Sequence, residues 1–502
     1  MSAAPAWPEP SLREKSPWRP SLSTAIGLVC FLGIIFSNWR LVLISADGDP
    51  CLHWRIGNWM IEHHHVLTAE CFSHTRAGTA VITMEWLSQL AYATAGNLLG
   101  WNGFVLVAAA LIAGTLWALH RLLLAEKCDD LLALLLVMLA ALAMSHHWLA
   151  RPHLFTHLIL VGWVWELRAF DSGRHSATRL FLTLTPLLAL WVNLHGGFLA
   201  GLILVGLFTV GNLTRPSVAL PLAVLALVCV IASFANPNGW KLDAYLLEFF
   251  RQPSLAGYTN EFGPVNFHAG GMRGFLLLLG ALTLLLVATR PRLRMLEVLL
   301  VAAWGYLALK YVRNVPVFTI VVTPILAVHG SDWLRRRQQE TGRTTWHRLS
   351  ARLTALRTSR GNPAWVTLAL AIVLAVQARP GGLRTELLAD RFPIAAVNRL
   401  QAEPELVRGE MFNAYGYGGY LIFALPERKV FIDGRNDLYG AAFLKEFDQV
   451  DEARPGWDVV LEKYKVGWTI LPVAHRLNRV LELEPGWERV YGDDTTLIFR
   501  RK

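Results

Sequence analysis

The chain has 502 residues, of which 54% are hydrophobic and only 17% charged, with a formal net charge of +10. Soluble proteins are usually nearer about 25% charged, so the composition excludes an ordinary soluble enzyme and points to a protein dissolved largely in lipid. Apolar runs recur from Ser21 to Ala378 without the alternation of a transmembrane barrel, and the stretch after them is ordinary mixed sequence. The positive excess fits cytoplasmic anchoring charges rather than nucleic acid.

A bilayer crossing takes about 20 apolar helical residues. On that ruler the chain reads as an α-helical polytopic membrane protein with eleven crossings, at 22–43, 103–124, 130–146, 153–170, 179–194, 197–213, 217–235, 273–289, 295–310, 313–331 and 364–379. A polar leader, 1–21, carries Arg13, Lys15 and Arg19 and resembles a signal peptide. The apolar run behind it is longer than a signal-peptide core, so an uncleaved anchor is expected.

Lys and Arg set the orientation. With the N-terminus inside, the inner loops hold Arg121 and Lys127, then Arg168, Arg174 and Arg179, then Arg215, then Arg290, Arg292 and Arg294. The last inner loop is the most basic, with Arg335, Arg336, Arg337, Arg343, Arg348, Arg352, Arg357 and Arg360. Eleven crossings then put residues 380–502 outside, as a small periplasmic α/β domain on a bacterial inner membrane. Strands are expected at 419–423, 429–432, 467–471 and 496–499, and helices near 390–402 and 456–465.

The first outer loop, 45–102, is too long for a simple connection. Leu52, Ile56, Trp59 and Met60 share one face at helical spacing, which predicts a helix lying in the interface, and 84–98 predicts a second. The unusual polar residues fall on the same side. They are Asp47-Gly-Asp49 with His53 and Arg55, Glu85 in Glu-Trp-Leu, Arg151-Pro-His153, Asn193-Leu-His195-Gly-Gly, Asn236-Pro-Asn-Gly239, and Lys310 with Arg313. Each has a plainer reading. Asp47 and Asp49 beside Gly and Pro serve as turn formers, Glu85 as a solvated residue, Arg151 and Arg313 as interfacial cations with buried stems. His63-His64-His65 reads as a polar interfacial run, since consecutive helical residues do not face one point. Their coincidence on one face is what suggests a site.

Cys30 and Cys229 sit in spans and Cys128 faces inside, leaving Cys51 and Cys71 as the pair placed for a disulfide in an oxidising periplasm. No cysteine spacing marks a metal site or nucleophile.

These motifs and their order resemble the GT-C superfamily of polytopic, polyprenyl-phosphate-sugar-dependent glycosyltransferases, which includes the bacterial Rgt-like sugar transferases, the protein mannosyltransferases and the aminoarabinose lipid A transferases. The shared plan is one crossing, a long outer loop with two interfacial helices and an early acidic residue, further crossings and often an outer C-terminal domain. Here the early acidic motif is Asp47-Gly-Asp49 and the second acidic position resembles Glu85. Val430-Phe-Ile-Asp433-Gly-Arg435-Asn-Asp437 also resembles a segment of related outer domains, though a strand and turn would explain it equally. The Trp-Trp-Asp-Tyr-Gly motif of oligosaccharyltransferases is missing. The nearest segment is Asn413-Ala-Tyr-Gly-Tyr-Gly-Gly-Tyr420, which argues against recognition of an asparagine sequon.

The resemblance implies transfer of a sugar from a polyprenyl-phosphate donor to a lipid, glycan or protein acceptor hydroxyl, with inversion at the anomeric carbon. An acceptor hydroxyl is a poor nucleophile and gains about 10²–10⁴-fold from a carboxylate base. Asp49 is the first choice and Asp47 the second, with Glu85 as a further catalytic candidate. Arg151, Lys310 and Arg313 are candidates for the departing phosphate, and His53, Arg55 and His195 for substrate contact. A divalent metal on Asp49 and Glu85 stays open, because two acids and scattered histidines define no metal site. No Gly-rich nucleotide turn is present. A lipid-linked glycan transporter or flippase would call for repeats and ionisable residues near the bilayer midplane, which the sequence does not offer. An O-antigen ligase or polymerase would keep its large outer loop between late helices.

Overall fold

In the computed structural model the described residues are 20–251, 260–342, 344–357, 364–379 and 382–502. The leader's Arg13, Lys15 and Arg19, and Arg343 and Arg360 of the last inner loop, lie outside them.

The apolar segments are helical throughout. In chain order they are α1 (Leu22–Ile35) with α2 (Trp39–Ser45), α5 (Trp101–Ala125), α6 (Asp130–Met144), α7 (His153–Asp171), α8 (Ala177–Trp191), α9 (Phe198–Gly211) and α10 (Pro216–Ala232). After them come Arg273–Thr289, Met295–Lys310, Val315–Thr341 and Ala364–Gln377. Among the described residues, four helices are long and apolar enough to cross a membrane alone, or five with the bent α1–α2 pair counted as one. The first crossing is thus not one straight helix over 22–43. α1 and α2 meet at 71°. Ser37 breaks the ladder there: its hydroxyl accepts the Trp39 N–H at 3.2 Å and its carbonyl accepts Arg40 Nη1 at 3.0 Å.

Burial is arranged as lipid demands. Trp163, Trp191, Trp304, Phe198 and Phe318 fill the bundle core, while Leu220, Leu284 and Val287 stand about two-thirds exposed (67%, 70% and 69%) on its outside. A contiguous apolar exterior of this kind is stable only against an apolar solvent.

The loops sort to two ends. At one, Asp171 receives Arg215 at 3.0 Å and Arg294 at 2.6 Å, Glu126 pairs with Arg168 at 2.8 Å, and Asp129 accepts Trp346 Nε1 at 3.1 Å. These are the loops that the Lys/Arg count assigns to one side. The polar motifs gather at the other.

Two helices of the loop at 45–102, α3 (Asp49–His63) and α4 (Trp86–Leu99), pack together as expected, with Asn97 bonded to Trp54 and Asn58 at 2.9 and 2.8 Å. The C-terminal sheet runs β1 (Glu410–Asn413), β2 (Val466–Pro472), β4 (Thr496–Arg501), β3 (Trp487–Gly492) in spatial order, β1–β2 parallel and the other pairs antiparallel. β2 and β4 match expectation, as do helices Ile394–Ala402 and Trp457–Lys463. Two expected strands do not form. Residues 419–423 lie in the helix Gly418–Ala424, and 429–432 make only a single bridge, Ser73 to Val430. A short apolar run fits either state, and packing decided this one.

The 45–102 loop and the C-terminal segment share one core. Cys51, Leu52, Ile56, Met60 and Phe72 are buried with Phe412, Leu421, Val430 and Phe431. Cys51 and Cys71 are both free thiols, so the expected disulfide is not made: Cys51 is buried within that core and Cys71 lies at its edge. A buried ionic knot fastens the two pieces. Arg435 bonds Glu70 at 2.6 Å and Asp433 at 2.7 and 2.8 Å, and Tyr439 donates to Asp433 at 2.8 Å. Arg435→Ala would leave two buried carboxylates without their counter-ion, a cost of about 3–5 kcal/mol. A lowered melting temperature together with faster proteolysis of the C-terminal segment is expected. An unchanged melting curve would show that the knot does not hold the domain.

Candidate active site

Asp47 and Asp49 stand at the corner between α2 and α3. The Asp47 carboxylate accepts the Asp49 N–H at 3.0 Å, so the turn-former reading holds for Asp47. Its two oxygens also receive Arg151, Nε at 3.2 Å and Nη2 in a closer contact. Arg151 Nη1 reaches Asp49 at 3.1 Å and Glu261 at 2.7 Å. Arg151 is therefore wholly engaged by carboxylates.

Glu85 stands at the N-terminal end of α4 and is met by two histidines, His195 Nε2 at 3.5 Å and His53 Nε2 at 4.0 Å. The Gly197 N–H donates to His195 Nδ1 at 3.0 Å, so the neutral ring carries its proton on Nε2, toward Glu85. Thr156 braces the same nitrogen at 2.9 Å and accepts Trp191 Nε1 at 2.8 Å. Gln89 holds His53 Nδ1 at 3.2 Å. The Asn193 motif anchors the start of α4: Trp86 Nε1 donates to the Asn193 side chain at 2.7 Å and Leu87 N–H to its carbonyl at 3.1 Å.

The C-terminal domain completes the site. A Cβ on Gly419 would stand 2.3 Å from the Gly48 carbonyl, and one on Gly434 would stand 2.7 Å from Asp49 Oδ1. Glycine at each position lets the domain lie directly on the Asp-Gly-Asp corner. Asn413 fixes the approaching segment through Phe431 N–H at 2.8 Å and the Ile432 carbonyl at 2.9 Å. Tyr245 of α11 (Trp240–Arg251) donates to Asp437 from the opposite side.

Electrostatics separate the acids. Burial pushes Asp49 up to about 7, with Arg151 pulling down and Asp47 and Glu261 adding to the rise. Burial, reinforced by Asp49, pushes Glu85 up to about 8. Glu85 is accordingly mostly protonated near neutrality, whereas Asp49 is poised to exchange a proton. Burial tends to raise Glu261 as well, but His147 and Arg151 outweigh it and leave that carboxyl well below its usual range. Burial and Arg151 hold His53 down at about 3, and burial with Arg313 holds His195 at about 3, so both are neutral.

Arg313 stacks over the Phe262 ring at 4.5 Å and makes no ion pair among the described residues. Lys310 is exposed beside Tyr306 and Tyr311, at 5.5 and 5.1 Å from their rings, and makes no ion pair among the described residues. Arg55 turns to Glu62 at 3.3 Å. His63 stacks on Trp59, exposed, in keeping with an interfacial run. The structure thus gathers Asp47, Asp49, His53, Glu85, Arg151 and His195, with Arg313 near them, and leaves Lys310 and Arg55 apart. Glu261, Gln89 and Thr156 were not singled out from the sequence, and Gly434 figured there only within the Val430–Asp437 segment. Glu261 carries no motif; its position as an acid late in the long loop between two apolar segments is the signal the sequence offered.

The sequence matches no protein-family model and no curated protein. Its fold does have relatives among solved structures. That fold is shared with solved oligosaccharyltransferase and ArnT structures, in line with the resemblance. The oligosaccharyltransferase AglB from Archaeoglobus fulgidus, in complex with an inhibitory peptide and a dolichol-phosphate, aligns over 90% of this chain and 69% of its own, with a TM-score of 0.54 at 12% identity. The A. fulgidus oligosaccharyltransferase tethered to an acceptor peptide with an NVT sequon aligns over 89% and 68%, at TM-score 0.52 and 12% identity. ArnT from Cupriavidus metallidurans bound to undecaprenyl phosphate aligns over 95% and 97%, at TM-score 0.50 and 14% identity.

Proposed function

We propose that this protein is an inverting membrane glycosyltransferase that moves a sugar from a polyprenyl-phosphate donor to an acceptor hydroxyl at the periplasmic face. In this reading the bundle makes eleven crossings, the N-terminus is cytoplasmic, and residues 380–502 form a periplasmic domain. The observation that carries it is Asp49, partly exposed at the corner where the first crossing meets α3, with its proton affinity raised to near neutrality, inside a fold whose solved examples hold dolichol-phosphate or undecaprenyl phosphate.

The chemistry follows from the roles left free. Asp49 takes the proton of the acceptor hydroxyl as that oxygen bonds to the anomeric carbon. The bond from that carbon to the phosphate oxygen breaks, and the negative charge goes to the phosphate. Arg151 is committed to carboxylates, so Arg313, which makes no ion pair among the described residues and lies close enough to act on the charges of Glu85 and His195, meets the phosphate. Glu85, protonated and held by His53 and His195, orients sugar or acceptor.

The rate should rise with pH through about 7, because the base works only when ionised and the folded protein holds the Asp49 proton up to about 7. An unshifted aspartate would put this limb near about 4. A kcat profile flat from pH 5 to 8 would remove Asp49 from the role. The donor is tested with purified protein given a polyprenyl-phosphate sugar or a nucleotide sugar. Transfer from the first alone is expected. Robust transfer from the nucleotide sugar with all lipid carrier removed would overturn the reading.

A further inference from the structure

Three carboxylates, Asp47, Asp49 and Glu261, converge from two separate outer segments, and the space between them is taken by one guanidinium. Arg151 gives Nε to Asp47 at 3.2 Å, Nη2 to the second Asp47 oxygen, and Nη1 to Asp49 at 3.1 Å and Glu261 at 2.7 Å. Several carboxylate oxygens around one point are what a hard divalent cation seeks. Here the cation belongs to the chain. Its backbone is pinned on both sides, by the Ala150 N–H on the Leu43 carbonyl at 2.8 Å and by the Tyr92 hydroxyl on the Arg151 carbonyl at 3.3 Å. The side chain is only 16% exposed, so a metal ion could enter only by displacing a charge that the fold holds in place.

The alternative metal pair, Asp49 with Glu85, does not fit: Glu85 is met by His195 and His53, and Asp49 by Arg151. Among the described residues no group of three His, Cys, Asp or Glu side chains is arranged to hold a metal ion.

We infer that Arg151 is a resident cation standing where a divalent metal would otherwise sit, so that the wild-type site works without metal and loss of the guanidinium creates a metal site from Asp47, Asp49 and Glu261. Arg151 is then a positioning residue: it ties Asp47 and Glu261 together and aims Asp49. The inference rests on the proposed transferase only for its activity arm, because metal binding is read independently of turnover.

The experiment titrates Mn²⁺ into detergent-purified full-length wild type, Arg151→Lys and Arg151→Gln, following bound metal by electron paramagnetic resonance and folding by melting temperature. Wild type and Arg151→Lys should hold no stoichiometric Mn²⁺, and wild-type transfer should survive EDTA. Arg151→Gln should bind about one Mn²⁺ per chain, at least ~10-fold more tightly than wild type, with a melting temperature that rises on adding metal. Adding Glu261→Gln to it should abolish the gain. Stoichiometric Mn²⁺ in wild type, EDTA-sensitive transfer, or a folded Arg151→Gln with no gain would each overturn the inference. If Arg151→Gln does not fold, the wild-type titration decides alone. Absence of transfer from any lipid-linked sugar would instead count against the transferase reading and leave the metal result standing.

Discussion

Asp49→Asn should lower turnover by about 10²–10⁴-fold while expression, melting temperature and donor affinity stay near wild type. The substitution keeps the shape at the α2–α3 corner and still offers Arg151 an oxygen, but the amide cannot take a proton. Glu85→Gln should cost much less, because Glu85 is already protonated near neutrality and an amide reproduces most of its hydrogen bonding. Asp47→Asn tests a different property. Asp47 is the seat of the Arg151 fork, so its loss should show in stability before it shows in the proton-transfer step. Transfer rates for the three variants, set beside donor binding, separate these outcomes. Near-normal turnover in Asp49→Asn with a collapse in Asp47→Asn would move the base two residues upstream. Near-normal turnover in all three would leave the enzyme without its chemistry and favour a transporter.

Gly434→Ala should cost about 10²-fold in turnover with little change in folding, the penalty expected when a catalytic group is displaced by about 1 Å. The added methyl would stand 2.7 Å from Asp49 Oδ1, and its three nearest neighbours are all atoms of that carboxylate. A carboxylate at the end of a short side chain can swing aside, so the clash is relieved by moving the base rather than by unfolding the domain. Gly419→Ala makes the contrast. Its methyl would meet the Gly48 carbonyl at 2.3 Å, and backbone cannot swing, so that variant should lose melting temperature as well as activity. Equal rates for Gly434→Ala and wild type would show that the C-terminal domain does not set the position of Asp49.

The sequence alone determined what local solvation determines. Each apolar segment is helical because lipid leaves a backbone no other way to satisfy its hydrogen bonds. The Lys and Arg tally sorted the loops into two sets, and Asp171 with Arg215 and Arg294 at one end and Asp49, Glu85 and Arg151 at the other keep that division. The pairing of α3 with α4 was legible from helical spacing. Residues 419–423 were not, because their helical state depends on Gly418 and Gly419 pressing against Ile432 and Gly48. Tertiary structure decided the roles within the site. It showed that Arg151 is spent on three carboxylates, that Arg313 makes no ion pair among the described residues, and that Glu261 and Gly434 border Asp49 from more than 200 positions away. Periodicity and charge counts report each residue's exchange with its solvent, whereas a catalytic constellation is set by contacts between distant segments, which only the packed chain defines.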